Sequence, residues 1–129
     1  MATPNLANVT TIKPVMVSTA LTTSGTAIVD VPAESCYKIE SIYVANKDGT
    51  NTATASVYVS DDNGSSSNYI IFQVPVPPGT SVSVLDTPLY LDETDLIYGE
   101  ASANGDIDII ISGTELIDWW LYKTFTHQH

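Results

Sequence analysis

The sequence predicts an all-β protein, an antiparallel two-sheet sandwich of about eight strands with a jelly-roll or immunoglobulin-like topology. Helical periodicity is nearly absent from the chain, whereas alternating and β-branched runs recur about every ten residues. Gly, Asn, Asp and Pro separate these runs. Short strands in this arrangement bury their apolar faces by packing as two sheets around one core. A chain of 129 residues fits one such domain.

Eight segments have strand character, and turn residues separate them. Segment 36–46 carries apolar residues on both faces, which indicates a central strand, with Tyr37, Ile39, Ser41, Tyr43 and Ala45 on one face. Segment 53–60 alternates cleanly, so one of its faces should lie on the core. The eight segments are 15–21, 26–31, 36–46, 53–60, 68–76, 81–85, 96–103 and 106–116, with a short extended piece at 88–91.

Two short turns predict hairpins. Asp48-Gly49 lies between segments 36–46 and 53–60, and Asn104-Gly105 lies between segments 96–103 and 106–116. Both dipeptides supply the positive φ angles that tight turns need. We therefore expect each turn to join two paired strands.

The two ends of the chain depart from this pattern. Residues 1–14 have little periodicity and are predicted to form an extended arm, or alternatively a frayed terminus, before the sandwich at 15–117. Residues 118–129 form an aromatic tail. The tail either folds back over its own sandwich or contributes to an interface between subunits, because buried Trp and Tyr dominate interface energies. The interface candidates are Trp119, Trp120, Leu121, Tyr122 and Phe125.

The charge balance limits the classes of partner. The chain has 15 Asp and Glu, four Lys and no Arg, and its net charge is −11. Four scattered lysines cannot displace the counterions of a phosphate backbone, so we expect neither nucleic acid nor an anionic membrane as a partner. An acidic surface of this kind suits docking on a cationic protein surface, although it is also ordinary for proteins of salty water.

No arrangement of residues in the sequence predicts catalysis, a metal site or a cofactor. Both histidines, His127 and His129, lie in the last three residues, so no base stands near the many hydroxyl groups of the predicted body. The single cysteine, Cys36, begins a predicted strand and is expected to be a buried, inert thiol. The acidic turns 61–63 and 92–95 are read as solvated turns rather than calcium loops, because neither has the spacing of a calcium loop.

Several stretches resemble small structural proteins encoded by tailed phages of aquatic bacteria and cyanobacteria. The resemblance covers residues 17–117, and residues outside it could carry docking functions of this chain's own. It implies a β-sandwich that is part of a virus particle. The matching stretches are 41–46 running into 48–51, then 76–80, 88–95 and 101–106.

The leading functional hypothesis is therefore a non-enzymatic virion protein, a decoration or cement protein that binds the capsid of a tailed phage. A second hypothesis places it in the neck, tail or fibre base as an adaptor. A third is a host-surface or carbohydrate-binding module that uses the loops at 61–68 and 92–95. The expected partners are further copies of the chain, in a homo-oligomer, and the major capsid protein or another virion protein. The expected location is the virion, assembled in the host cytoplasm.

Overall fold

The computed structural model describes residues 11–61 and 66–117, and this part of the chain is all-β with no helix. None of its segments is therefore a helix long and apolar enough to span a membrane. Its strands are β1 (Thr11–Ala20), β2 (Thr26–Asp30), β3 (Ser35–Asn46), β4 (Ala53–Ser60), β5 (Asn68–Val76), β6 (Ser81–Ser83), β7 (Leu89–Leu91), β8 (Leu96–Ala101) and β9 (Ile107–Ile117).

The strands form two antiparallel sheets with a jelly-roll order. One sheet has the order β1-β9-β3-β6, with β7 also paired to β3, and the other has the order β2-β8-β4-β5. Since β6 and β7 pair with residues 43–45 and 37–39 of β3, they act as one interrupted strand. The fold thus has eight strand positions, and the predicted sandwich is confirmed. The alternation of the chain between the sheets is that of a jelly roll, which decides between the two predicted topologies.

Both predicted hairpins are wrong. β3 and β4 lie in different sheets, as do β8 and β9, so the two turns carry the chain across the core. The Asp48 carboxylate accepts hydrogen bonds from the backbone N–H groups of Thr50 and Asn51, at 2.8 and 3.3 Å, which stabilises the reversal without pairing the strands. A turn dipeptide determines where a chain reverses. Which strands pair depends on the distribution of apolar faces over the whole molecule.

β3 is a central strand, as the sequence predicts, but the predicted assignment of its faces fails at a β-bulge. Its register with β9 shifts between Ile39 and Ser41. The extra residue lets Ile39 and Ile42 both face the core, each fully buried. Gly113 of β9 lies opposite the bulge, where a Cβ atom would overlap the carbonyl oxygen of Lys38.

The core lies between the two sheets and consists of aliphatic side chains from both. Segment 53–60 places Ala53, Ala55 and Val57 in this core, as its alternation predicts. Successive side chains of a strand point to opposite faces, which accounts for the agreement between pattern and fold here. The largest fully buried side chains are Leu21, Ile39, Ile42, Ile97, Ile107, Ile109 and Ile111.

The first and last described residues lie side by side. β1 begins at Thr11, four residues before the predicted strand, and Thr11 pairs with Ile117 at the end of β9. Pro14 lies on β1, an edge strand, where a missing N–H is tolerated. Residues 1–10 and 118–129 lie outside the described residues and are joined to the same end of the five-stranded sheet. The arm and the tail remain predictions.

Candidate interaction surfaces

The only cysteine of the chain is a buried thiol. Cys36 is 7% exposed and unpaired. Burial raises its pKa, and the nearby charges of Asp92 and Asp95 raise it further. A raised pKa keeps the thiol protonated at neutral pH, so it is a poor nucleophile.

The acidic turn 92–95 uses its carboxylates to hold backbone groups. Asp95 accepts a hydrogen bond from the N–H of Asp92 at 2.8 Å, and Glu93 accepts one from the N–H of Glu34 at 2.9 Å. Glu93 is also buried. Within residues 11–61 and 66–117, no group of three or more His, Cys, Asp or Glu residues is arranged to hold a metal ion. The histidines lie outside this part.

The two loops predicted from the sequence as candidates for carbohydrate recognition, 61–68 and 92–95, contribute residues to one groove. Asp61 and Asn68 line it from one loop, and Asp95 lines it from the other. Tyr90, which is 54% exposed, lies in the same groove. The sequence showed no aromatic residue within either loop, and β7 supplies one beside them.

The outward side of the five-stranded sheet carries dispersed apolar residues. Ile12, Met16 and Ile110, which we call the aliphatic surface, are 68%, 67% and 42% exposed, and Tyr43 on the same side is 45% exposed. Ile110 lies directly opposite Tyr43 across β9 and β3. Single exposed apolar residues are normal on a protein surface.

The outward side of the four-stranded sheet carries aromatic rings in mutual contact. We call Tyr58, Tyr69, Phe72 and Tyr98 the aromatic surface. Tyr58 stacks on Tyr98 with centroids 5.2 Å apart and lies 4.8 Å from Tyr69, which in turn meets Phe72 edge-on at 4.8 Å. Tyr98, Tyr58 and Tyr69 are register partners across β8, β4 and β5, so they form a row across the sheet. Such ring pairs are favourable beyond their buried area.

An irregularity in β5 adds Phe72 to this row. The pairing of β5 with β4 shifts twice, between Ala55 and Val57 and again beyond Val57. At the first shift Gln73 adopts a left-handed backbone with φ of 50°, and its N–H donates to the buried Ser56 Oγ at 2.8 Å. β-Bulges re-aim side chains in this way. The second shift places one extra β5 residue between Tyr69 and Ile71, so the rings of Tyr69 and Phe72 lie on the same outer face, where Phe72 is 59% exposed.

The charges differ between the two sheets. The three lysines among the described residues, Lys13, Lys38 and Lys47, belong to the five-stranded sheet or to the loop that follows β3. Two of them form ion pairs on that side, Lys13 with Glu115 at 3.7 Å and Lys47 with Asp108 at 3.0 Å.

On the other sheet, Glu100 lies on the same face of β8 as Tyr98 and lines a shallow depression of about 130 Å³ together with Thr54 and Gln73. Partial burial raises the pKa of Tyr58, and the negative charge of Glu100 is the next cause. The Tyr58 ring therefore lies close enough to Glu100 to feel its negative charge.

The residues that the sequence nominated for an interface, Trp119, Trp120, Leu121, Tyr122 and Phe125, lie outside the described residues. The aromatic surface was missed. Its signal in the sequence is Tyr58, which stands among Thr54, Ser56 and Ser60 on the polar face of its strand, where an aromatic ring is unexpected. Tyr98 and Tyr69 could not be placed beside it without the strand order.

The fold has neighbours among solved structures. A chain of the acid-stable capsid of the Helicobacter pylori bacteriophage KHP30 is similar at 8% identity with a TM-score of 0.52, covering 85% of this chain and 90% of that one. A chain of a disulfide-linked pilus that forms Bacillus endospore appendages is similar at 15% identity with a TM-score of 0.49, covering 83% and 87%. The core of Drosophila NLP, from a study of its pentamer formation and histone binding, is similar at 15% identity with a TM-score of 0.47, covering 78% and 96%.

These similarities concern the fold alone. The capsid chain has the highest TM-score of the three and supports a shared β-sandwich. No known protein family matches the sequence, and no curated protein matches it either.

Proposed function

We propose that this protein is a non-enzymatic structural component of a virus particle, a jelly-roll module that assembles through its outer faces. The observation that carries the proposal is the aromatic surface, four rings in contact on the outside of a sheet in which Tyr69 and Phe72 are 45% and 59% exposed. A contiguous exposed apolar patch is typical of a protein interaction site. The fold similarity to a phage capsid chain is consistent with this role.

Within the particle, the role we favour is a decoration or cement protein on the capsid of a tailed phage. The acidic surface, with a net charge of −11, suits a small protein that coats a larger shell and stays soluble before it docks. An adaptor in the neck, tail or fibre base would use the same sandwich in a ring of fewer copies.

Copy number distinguishes these positions. Purified particles are digested and the protein is quantified by mass spectrometry against a major shell protein. A head protein is expected in on the order of hundreds of copies, and a neck or tail ring in about a dozen or fewer, because closed rings have few subunits. Absence of the protein from purified particles would overturn the virion proposal altogether.

The aromatic tail offers a second test of assembly. Trp119 and Trp120 are adjacent, so in an extended chain their rings point to opposite sides and only one can face the chain's own sandwich. Trp→Ala at one position should lower stability by about 3–5 kcal/mol if that ring is buried. The other substitution should leave stability unchanged and weaken association by about 2–4 kcal/mol. Thermal unfolding and sedimentation velocity of both variants separate these outcomes, and a parental result in both assays would make the tail a passive extension.

A saccharide-binding function is the second candidate, and the groove between the two loops favours it. Tyr90 provides a ring for a sugar face, and Asp61, Asn68 and Asp95 provide oxygens and an amide for its hydroxyl groups. A glycan array with the wild type and a Tyr90→Ala variant tests it. Glycan binding by the wild type that the variant loses would support a host-surface role. An array without signal would exclude this second function, and only the structural role would remain proposed.

A further inference from the structure

We infer that the aromatic surface is a docking site for a different protein that presents arginine side chains. This inference deepens the proposed function, on which it rests, by naming the chemistry of the partner. The aromatic surface combines exposed ring area with a carboxylate beside it, and a guanidinium group matches both. Arginine stacks its plane on aromatic rings and pairs with carboxylates in a fixed fork, which lysine does not do as well.

The charges of the four-stranded sheet favour a cationic binding partner. Glu100 lies two residues from Tyr98 on the same face of β8, and it pairs in register with Ser56, which lies two residues from Tyr58 on β4. All lysines among the described residues belong to the five-stranded sheet side. Among residues 11–61 and 66–117, the aromatic surface therefore has the carboxylate of Glu100 beside it and no lysine on its sheet. Complementary potentials guide partner choice at interfaces.

The composition of the chain excludes a second copy as the source of the guanidinium groups. The chain contains no arginine, and its net charge is −11. Two copies that met through this surface would also bring two Glu100 carboxylates towards one another, which is unfavourable. The complementary partner must be another protein.

The construction of the surface supports a binding role. Gln73 is held in a left-handed backbone conformation, unusual for a residue other than glycine, with its N–H bound to Ser56 Oγ. Strained backbone of this kind is retained where the surrounding structure enforces it and is concentrated at functional sites. In this protein it lies directly beside Phe72, at the end of the row of rings.

Calorimetric titration of the full chain with a hexa-arginine and a hexa-lysine peptide, at physiological ionic strength, tests the inference. The double variant Tyr69→Ser, Phe72→Ser removes the two most exposed rings of the aromatic surface. The matched control Ile12→Ser, Met16→Ser removes two side chains of the aliphatic surface that are at least as exposed as these rings. Both variants should remain folded, which thermal unfolding checks, and Glu100→Gln gives a third variant with both rings intact.

We expect the wild type to bind the arginine peptide more tightly than the lysine peptide. The ring variant should lose about 5-fold in affinity for the arginine peptide, the sum of two exposed cation–π contacts, and with it the arginine preference. Glu100→Gln should weaken binding by about 2-fold to 3-fold, and the control should match the wild type. Aromatic NMR shifts of Tyr69 and Phe72 should follow the titration.

Three results would overturn the inference. The first is equal binding of the two peptides by the wild type, and the second is an equal loss in the ring variant and in the control, since both indicate attraction by net charge alone. The third is self-association that sedimentation velocity finds in the wild type and not in the ring variant, without peptide binding, because a second copy would then occupy the surface. None of these results bears on whether the protein is found in particles, so the proposed function is tested separately by its copy number.

Discussion

The two outer faces of the sandwich both expose apolar side chains, in different arrangements. The aliphatic surface disperses its residues over the five-stranded sheet, on the side that holds the lysines. The aromatic surface gathers four rings into one row beside Glu100. All ring contacts among the described residues lie on the four-stranded sheet. Exposure alone does not distinguish the faces, since Met16 is more exposed than Phe72.

This difference shows that contact between exposed side chains indicates an interaction surface better than the number of exposed side chains does. An isolated exposed methionine is weak evidence for an interface, because most folded proteins expose many apolar atoms. Rings that touch hold each other in fixed positions, so they lose little conformational entropy when a partner covers them. The four-stranded sheet therefore presents the more preorganised outer face.

The largest expected effect concerns the five-stranded sheet. Gly113→Ala should lower the free energy of unfolding by about 3 kcal/mol or more, because the new Cβ would overlap the backbone of β3 at Lys38, which cannot move without breaking the bulge. Gly99→Ala on β8 should cost about 1–2 kcal/mol, since its Cβ meets the flexible end of Leu21 at 2.8 Å. Urea denaturation measures both.

Gly49→Ala is the control for these two variants. No atom lies within 4 Å of the Cβ position at Gly49, so its stability should change by less than about 0.5 kcal/mol. If Gly113→Ala were as mild as this control, the close approach of β9 to β3 would not be a constraint on the sheet.

A second effect separates the inner from the outer side of β9. Ile111 is fully buried and Ile110 is 42% exposed, although they are neighbours in sequence. Ile111→Ala should cost about 2–4 kcal/mol, and Ile110→Ala less than about 1 kcal/mol. Equal losses in thermal unfolding would mean that Ile110 is covered in solution, and the aliphatic surface would then be an interface as well.

A third effect is the pH dependence of the aromatic surface. The pKa of Tyr58 is raised by burial and then by Glu100, so the neutral phenol is favoured in the folded state. The contribution of the neutral Tyr58 phenol to folding stability is fully present below the unfolded pKa of about 10. It is lost as the pH rises through the higher folded pKa. NMR titration of the Tyr58 ring should show a pKa above the usual value for tyrosine, and Glu100→Gln should lower that pKa. An unchanged titration in that variant would remove Glu100 from the surroundings of the ring.

The sequence predicted strands well and their pairing poorly, and the reason is physical. Segments 53–60 and 68–76 were placed correctly, because alternation is a local property of a half-buried strand. The turns at 48–49 and 104–105 were located, yet their strands lie in different sheets. Reversal of the chain depends on local φ angles, whereas pairing depends on contacts between residues far apart in sequence.

The aromatic surface could not be predicted for the same reason. Tyr58, Tyr69 and Tyr98 come from three strands that are brought into one row by pairing across β8, β4 and β5. The contribution of Phe72 depends on the register shift between Tyr69 and Ile71, which no residue in the segment predicts. The neighbouring bulge at Gln73 is equally hidden in the sequence, since Gln is an uncommon choice for a left-handed conformation. A Gly or Asn at that position would have been a signal.

The smallest expected effect tests this bulge directly. Asn adopts the left-handed region more readily than Gln, so Gln73→Asn should raise the free energy of unfolding by about 0.5 kcal/mol while Phe72 keeps its place. Gln73→Val should lower it by about 1–2 kcal/mol, because a β-branched side chain disfavours a φ of 50°. The measurements are urea denaturation and the NMR contact between the rings of Tyr69 and Phe72. Thr94→Asn, at another left-handed residue with φ of 68°, is the control that should stabilise by a similar amount and leave the ring contact unchanged. If Gln73→Val kept full stability and the ring contact, the bulge would not be what holds Phe72 on the outer face, and the two faces of the sandwich would differ only in which side chains they happen to carry.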